Sequence, residues 1–201
     1  MGMQLIRSPL PPAQAIDVRP PVPGLAQIYA EHCDFVWRNL RRMGVQEASI
    51  DDAVQEVFLV VHRRLADFEA RSQVKTWLFG IVLRVAQTQR RNLRRRNAHL
   101  PDVPTFDLEA VANIEQESPL ELVARREAVT LLHQLLATLD DDKRAMLVLV
   151  ELEQMSVPEA AEALGINLNT AYSRLRMARN AFEEAIVRHR AREGRGGRDS
   201  R

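Results

Sequence analysis

Apolar side chains recur every three or four residues through two long stretches of this chain, residues 25–96 and 120–190. That spacing places them on one face of an α-helix. In the first stretch, helices are predicted to begin at Leu25, near Ser49 and at Val74. An alternation of apolar and polar residues, which would indicate a strand, never persists beyond a few residues. The pattern therefore predicts an all-α protein.

Three segments without helical periodicity divide the chain. Residues 1–24 are rich in proline, residues 97–119 combine prolines with acidic side chains, and residues 191–201 are rich in arginine and glycine. Proline removes backbone donors, and segments of such composition do not build a core. The sequence therefore predicts two small helical domains, 25–96 and 120–190, joined by an acidic linker and flanked by a disordered proline-rich tail and a disordered basic tail.

Residues with strong preferences for helix ends lie in the second domain. Ser156, followed three positions later by Glu159, forms a capping-box pattern that predicts the start of a helix. Gly165 then predicts its end, and Asn167 can cap the next helix at once. In the first domain, Ser49 is predicted to cap the second helix, with acidic residues following in its first turn.

A short helix, a glycine-containing turn and a second helix with a polar face together form the pattern of a helix-turn-helix that reads the major groove of DNA. Ala171, Leu175, Ala178 and Phe182 share one stripe of the second helix and are predicted to pack inward. The alternative is a plain helical hairpin with a solvated arginine face. The opposite, exposed stripe contains Asn169, Tyr172, Ser173, Arg176 and Arg179.

The third helix of the first domain ends in a cluster of arginines without acidic neighbours. Such a cluster favours phosphate binding, although solvated arginines are the alternative. At the start of this helix, Trp77 and Phe79 lie beside a polar loop, residues 67–73, that could receive an unstacked base. For Trp77 itself, a place in the core is the simpler interpretation. The clustered arginines are Arg84, Arg90, Arg91, Arg94, Arg95 and Arg96.

Composition narrows the classes of function. The 201 residues include one cysteine, Cys33, so a disulfide framework and a multi-cysteine zinc site are excluded. The five histidines are scattered and no phosphate-binding loop is present, so we expect no catalytic residue, no metal and no cofactor. No signal peptide or membrane-spanning run is visible, and a cytoplasmic protein is expected.

Several sequence segments resemble conserved regions of one protein family, the extracytoplasmic-function (ECF) sigma factors of bacterial RNA polymerase, in the sigma-70 family. Three segments are similar to region 2 of the family, and these are 51–59 (DDAVQEVFL), 66–68 (ADF) and 75–81 (KTWLFGI). Three more are similar to region 4, and these are 139–156, 159–166 (EAAEALGI) and 170–179 (TAYSRLRMAR). The order and spacing are those of the family, which makes the resemblance specific.

The resemblance implies a sigma subunit that binds the β and β′ subunits of core RNA polymerase, recognises the −35 element of promoter DNA and melts the −10 element. It also implies an anti-sigma factor as a partner and no insertion into a membrane. The positions implied for core polymerase are Asp52, Gln55, Glu56 and Leu59. Those implied for the −10 element are Phe68, Arg71, Lys75, Trp77, Arg84, Gln87, Arg90, Arg91 and Arg94. Those implied for the −35 element are Asn169, Thr170, Tyr172, Ser173, Arg174, Arg176, Met177 and Arg179.

Some positions depart from the family pattern. Arg84 stands where the family usually has Asn, and Thr88 where it usually has Asp, so the −10 preference of relatives cannot be carried over. Tyr172 replaces a usual basic residue in the predicted reading helix. Two other functions remain open from the residues alone, namely a helix-turn-helix regulator that acts without polymerase and an all-helical adaptor without a nucleic-acid role.

Overall fold

The computed structural model describes residues 23–68, 73–96 and 119–196, and the regular structure in these ranges is entirely helical. The predicted all-α class is confirmed. Short 3-10 turns at Glu47–Ser49 and Leu65–Asp67 flank the second helix. The helices are α1 (Leu25–Arg42), α2 (Ile50–Arg64), α3 (Val74–Arg96), α4 (Pro119–Ala137), α5 (Asp141–Leu147), α6 (Val157–Leu164) and α7 (Leu168–Gly196).

The first three helices pack on one another through the predicted apolar stripes. Ile28 and Leu40 of α1, Val57 of α2, and Leu78 and Phe79 of α3 are fully buried among them. Burying a large apolar side chain contributes about 1.5–3 kcal/mol, so these stripes supply the main stabilisation of this half. The three amphipathic helices thus form the core predicted for residues 25–96.

The start of α2 differs from the prediction, which is wrong for the cap at Ser49. The Ser49 side chain makes no capping hydrogen bond, and its φ of −120° and ψ of 4° are not the extended conformation of a typical N-cap. The preceding 3-10 turn leads directly into α2 instead. Gly44 ends the α1 segment as predicted, with a φ of +84° that favours glycine.

In the second half, α7 packs against α5 and α6. The predicted continuous helix through Val150 is interrupted, because a π-helical turn at Val148–Leu152 follows α5 and carries the chain to Glu153. The predicted end of α7 at residue 190 is too early. Helix formers, Ala191 and Arg192 among them, prolong α7 to Gly196.

The two halves lie directly on each other. Helix α3 contacts α6 and α1 contacts α4, and buried side chains from both halves form one continuous core. Residues 97–118, most of the predicted acidic linker, lie outside the described residues, as do residues 1–22 and 197–201 of the predicted tails. Pro119, placed at the end of the linker by the prediction, begins α4.

Arg144 joins the halves through backbone carbonyls. Its side chain is 2% exposed and donates to the carbonyls of Leu136, Ala137 and Leu139, at 2.7–3.1 Å, around the end of α4. It also donates to the Met43 carbonyl at the end of α1, at 3.2 Å. A Cβ at Gly44 would lie 2.8 Å from the Arg144 Nη1, so this close approach also favours glycine there.

We predict that Arg144→Ala lowers the free energy of unfolding by on the order of 3 kcal/mol, because four carbonyls lose a buried, charged donor. Arg144→Lys should recover little, since an ammonium cannot reproduce the fork of the guanidinium. Urea denaturation followed by circular dichroism measures both. Arg126→Ala, at an exposed arginine of α4, is the control and should change stability by less than about 0.5 kcal/mol. An equal loss in both alanine variants would contradict the assignment.

A second prediction concerns His133 on α4. Burial, together with the charges of Arg41 and Arg42, lowers the pKa of His133 from 6.5 to about 4. Between these values the unfolded chain binds a proton that the folded chain does not, so this contribution to stability is complete above pH 6.5 and is lost as the pH falls towards 4. The loss should be about 3 kcal/mol, since each pKa unit corresponds to about 1.4 kcal/mol.

Denaturation at several pH values between 7 and 4 tests this dependence. His133→Gln should flatten the slope in that window, whereas His62→Gln, at an exposed histidine of α2, should leave it as in the wild type. Burial also lowers the pKa of His32, so a smaller slope of the same sign should remain in the His133 variant. An unchanged slope in His133→Gln would show that this histidine does not carry the effect.

Candidate nucleic-acid and polymerase interfaces

The predicted helix-turn-helix is formed by α6, the turn after it, and the beginning of α7. Ser156 and Glu159 make the predicted capping box, in which the Ser156 N–H donates to the Glu159 carboxylate at 2.8 Å and the Glu159 N–H donates to the Ser156 Oγ at 3.4 Å. The hydroxyl and backbone hydrogen bonds from Ser156 lower the pKa of Glu159. Gly165 adopts a left-handed φ of +64°, and Asn167 accepts from the Thr170 N–H at 2.8 Å. Local sequence therefore determines this turn, as predicted.

The inner stripe of α7 is buried as predicted. Ala171, Leu175 and Ala178 are buried, and small side chains here let α7 approach its neighbouring helices closely. Phe182 is half-buried at the same stripe. The predicted reading residues consequently face outward, with the half-buried Thr170 and Arg174 at the edge. The exposed members are Asn169, Tyr172, Ser173, Arg176, Met177 and Arg179.

Two of the predicted −35 arginines are engaged within the protein. Arg174 pairs with Asp142 of α5 at 2.8 Å, and Arg179 pairs with Glu151 at 2.6 Å. Both carboxylates are well exposed, so each pair contributes little to stability and can exchange for a phosphate at low cost. Arg176 projects from α7 as an exposed side chain. The three predicted arginines therefore lie on the outer side of α7 or at its edge.

The residues predicted to contact the −10 element differ in their exposure. Lys75, Arg84 and Arg91 are exposed on α3, whereas Gln87 and Arg90 are half-buried. The Arg90 guanidinium pairs with Asp141 of α5, which is on the other half of the molecule. Arg71 and the side chain of Arg94 lie outside the described residues.

The two aromatic candidates pack on each other. The Phe68 and Trp77 rings lie 4.8 Å apart at an angle of 35°, and Phe68 is buried while Trp77 is half-buried. Such a pair gains stacking energy beyond its buried area. Trp77 therefore presents one side of a supported platform at the edge of the core, and Phe68 acts as its support.

The candidate polymerase surface lies on α2. Asp52, Gln55 and Leu59 are exposed, and Leu59 is 48% exposed although it is apolar. Glu56 is half-buried and accepts a hydrogen bond from Gln89 of α3 at 2.9 Å. The four predicted residues thus share one helix, with Glu56 at the boundary to α3.

A groove beside this surface was missed by the sequence reasoning. It runs between α1 and α2, and Tyr29, which is 51% exposed, and Trp37 line it together with Phe58 and Leu59. Tyr29 packs on Phe58 with ring centroids 4.7 Å apart and the ring planes tilted by 57°. The signal available in the sequence was an apolar stripe on α1 wider than one partner helix can cover.

Chemical sites of other kinds are not evident in the described ranges. Within them, no three histidine, cysteine or carboxylate side chains are grouped as metal ligands would be. None of the helices described is both long and apolar enough to cross a membrane.

Comparison with known proteins identifies the family. Residues 28–96 match the family model of Sigma-70 region 2, and residues 130–182 match that of Sigma-70, region 4. The chain is 30% identical over 155 residues to the RNA polymerase sigma factor CnrH of Cupriavidus metallidurans, a match that covers 76% of this chain and 81% of that protein. The chain is an ECF sigma factor of the sigma-70 family.

Other relatives agree with this assignment. This sigma factor is 30% identical over 153 residues to NccH of Alcaligenes xylosoxydans, covering 76% of this chain and 81% of the relative. It is 27% identical over 151 residues to the ECF sigma-E factor of Escherichia coli, covering 71% of this chain and 76% of the relative. The family resemblance predicted from the sequence motifs is therefore confirmed.

Two solved structures share the fold of the sigma factor. The structure of CnrH in complex with the cytosolic domain of CnrY superposes with a TM-score of 0.59 at 24% identity and covers 81% of this chain and 87% of that chain. The structure of RpoE from Bartonella quintana with the anti-sigma factor NepR has a TM-score of 0.57 at 21% identity, covering 80% and 98%. The arrangement of helices is thus that of sigma factors.

Proposed function

We propose that this sigma factor binds core RNA polymerase through α2, reads the −35 element with α7 and captures the melted −10 strand with α3. The observation that carries the proposal is the presence of both family regions, in order, each with several of its expected residues exposed on one helix. Sigma factors are initiation factors rather than enzymes, and the proposed steps need no catalytic residue, metal or cofactor.

The polymerase contact is proposed for Asp52, Gln55, Glu56 and Leu59, together with the neighbouring groove. Acids and amides around an apolar side chain suit a helical partner, because complementary charge guides the encounter while Leu59 supplies the apolar contact. The exposure of Leu59 supports this role, since a large apolar side chain gains free energy when a partner covers it.

Strand opening is proposed to follow from binding alone. The Trp77 platform and the exposed basic side chains of α3 offer stacking and phosphate contacts to an unpaired strand. Each stacked base is worth about 1–3 kcal/mol, which shifts the equilibrium of duplex melting without nucleotide hydrolysis. Arg84 is exposed at a position where the family usually has Asn, and it adds a charged guanidinium group to these basic side chains of α3. We therefore propose a −10 preference that differs from that of relatives.

The −35 contact is proposed for the outer face of α7. Arg176 and Met177 reach the groove floor, and Arg174 and Arg179 exchange their carboxylate partners for phosphates. An anti-sigma factor is proposed as the inhibitory partner of this chain, since the structure of RpoE described above holds that sigma factor with the anti-sigma factor NepR.

Co-purification with core polymerase, followed by run-off transcription on genomic fragments and mapping of the start sites, tests the proposed function. We expect a stable holoenzyme and a defined set of promoters. If the protein binds DNA specifically in the absence of core polymerase, a regulator that acts alone is supported. If promoter DNA adds nothing to the complexes that the protein forms, an adaptor without a nucleic-acid role is supported.

We predict that Arg176→Ala reduces discrimination at one or two base pairs of the −35 element by about 1–3 kcal/mol, because a bidentate contact to a base edge is lost. Holoenzyme binding to the mapped promoter and to its −35 point variants measures this. The Arg126→Ala protein serves as the matched control. Weakening that is equal on all sequences would instead make Arg176 a phosphate contact.

We predict a different effect for Arg91→Ala on α3. Loss of one phosphate contact should weaken binding of all promoters alike and reduce the slope of log affinity against log salt by about 0.7–0.9. Titration of holoenzyme with promoter DNA at 50–200 mM salt measures this slope. If the slope stays at the value found for Arg126→Ala, the Arg91 side chain does not contact a phosphate.

A further inference from the structure

The predicted reading helix, α7, begins with exposed apolar side chains. Leu168, its first residue, is 43% exposed, and Tyr172 is 54% exposed. Neither residue belongs to the buried stripe by which α7 packs on its neighbours. A large apolar side chain gains free energy when it leaves water, so a pair of them on a reading face favours an apolar contact with the ligand.

Leu168 and Tyr172 share one line along α7 with Arg176, which is also exposed. Positions four residues apart on an α-helix lie on the same side, separated by about 6 Å along the axis. The line starts at the first residue of α7, and the N-terminal residues of a recognition helix are those that contact base edges. Met177 is exposed as well, but a step of five residues turns it about 140° around the helix from Tyr172.

The chemistry of this line matches one base in particular. Among the four bases, only thymine presents a methyl group in the major groove, and apolar side chains recognise it by contact. Guanine is read by a bidentate pair of N–H donors, which the single hydroxyl of Tyr172 cannot supply. Tyr172 also departs from the family pattern, in which this position is usually basic. The line therefore combines an apolar side chain with the donor fork of Arg176.

We propose that Tyr172 determines specificity at the −35 element by contacting the C5-methyl group of a thymine, with Leu168 extending the apolar contact towards the start of α7. The separation of about 6 Å between Tyr172 and Arg176 corresponds to about two base pairs at 3.4 Å each. The thymine therefore lies within about two base pairs of the pair that Arg176 reads. The inference rests on the proposed function, because it refines how α7 reads the −35 element.

Removal of the methyl group alone tests this contact. At a promoter found by mapping the start sites, each thymine of the −35 element, on either strand, is replaced in turn by deoxyuridine, which pairs as thymine does. We expect one replacement, within about two base pairs of the position affected by Arg176→Ala, to weaken binding of the wild-type holoenzyme. The expected loss is about three- to fivefold, the value of one methyl group removed from an apolar contact. If no replacement weakens binding, the proposal is overturned.

Substitutions at Tyr172 assign the effect to this side chain. Tyr172→Phe keeps the ring, so it should show the same loss with deoxyuridine as the wild type. Tyr172→Ala should bind the thymine and deoxyuridine promoters equally. A loss that persists in Tyr172→Ala would show that another residue contacts the methyl group. A loss that disappears in Tyr172→Phe would make the hydroxyl the contact, and either result would overturn the proposal.

Val187→Ala is the matched control. Val187 is an apolar residue of the same helix and is 66% exposed. It lies about 22 Å further along α7 than Tyr172, whereas the major groove is about 12 Å wide. The control should therefore keep the wild-type loss with deoxyuridine. Equal binding of both promoters by Val187→Ala would contradict the assignment to Tyr172.

Holoenzyme formation and run-off transcription by the wild-type protein are measured first. Failure there would overturn the proposed function together with this inference. A wild-type holoenzyme that initiates at defined promoters and tolerates every deoxyuridine replacement would overturn the thymine contact alone.

Discussion

The packing of the two halves depends on the hydrogen bonds and ion pairs made by charged side chains that are buried between the helices. Arg144 donates to carbonyls at the ends of both α4 and α1, where the last turn of a helix leaves acceptors without intrahelical partners. A guanidinium suits this place because one planar group can serve several carbonyls at once. Arg144 therefore links the second half to the first, and a second buried group, Glu153, also pairs with α1.

Local pairing of charged side chains explains why a protein with a net charge of +1 has basic surfaces. Acidic residues of α5 and of the π-helical turn pair with arginines of α3 and α7. Exposed pairs of this kind are weak, and a phosphate can replace the carboxylate. Arg84, Arg91 and Arg176 remain exposed. The charge that a nucleic acid meets is therefore set by which pairs are closed, as well as by the total number of arginines.

Much of the fold follows from local signals. The helical class, the bounds of α3, the capping box at Ser156 and the glycine at 165 were predictable, because each depends on side-chain period or on hydrogen bonds within a few residues. Family membership was predictable for a similar reason, since its motifs are contiguous. The prediction of a cap at Ser49 was wrong, because a 3-10 turn gave its backbone another conformation. The predicted end of α7 was wrong, because helix propensity outweighed the glycine signal.

The sequence by itself determined the helical class, the apolar faces of the helices, the exposed face of α7 and the family. Only the tertiary structure decided which of the predicted site residues are exposed. In it, Phe68 is buried and Arg90 pairs with Asp141. Helix α6 lies on α3, and a groove forms around Tyr29. The physical reason is the distance along the sequence over which each kind of interaction acts. Helix period and caps act over about four residues, whereas ion pairs and hydrogen bonds between residues 51 to 114 positions apart depend on how whole helices meet, which no local pattern encodes.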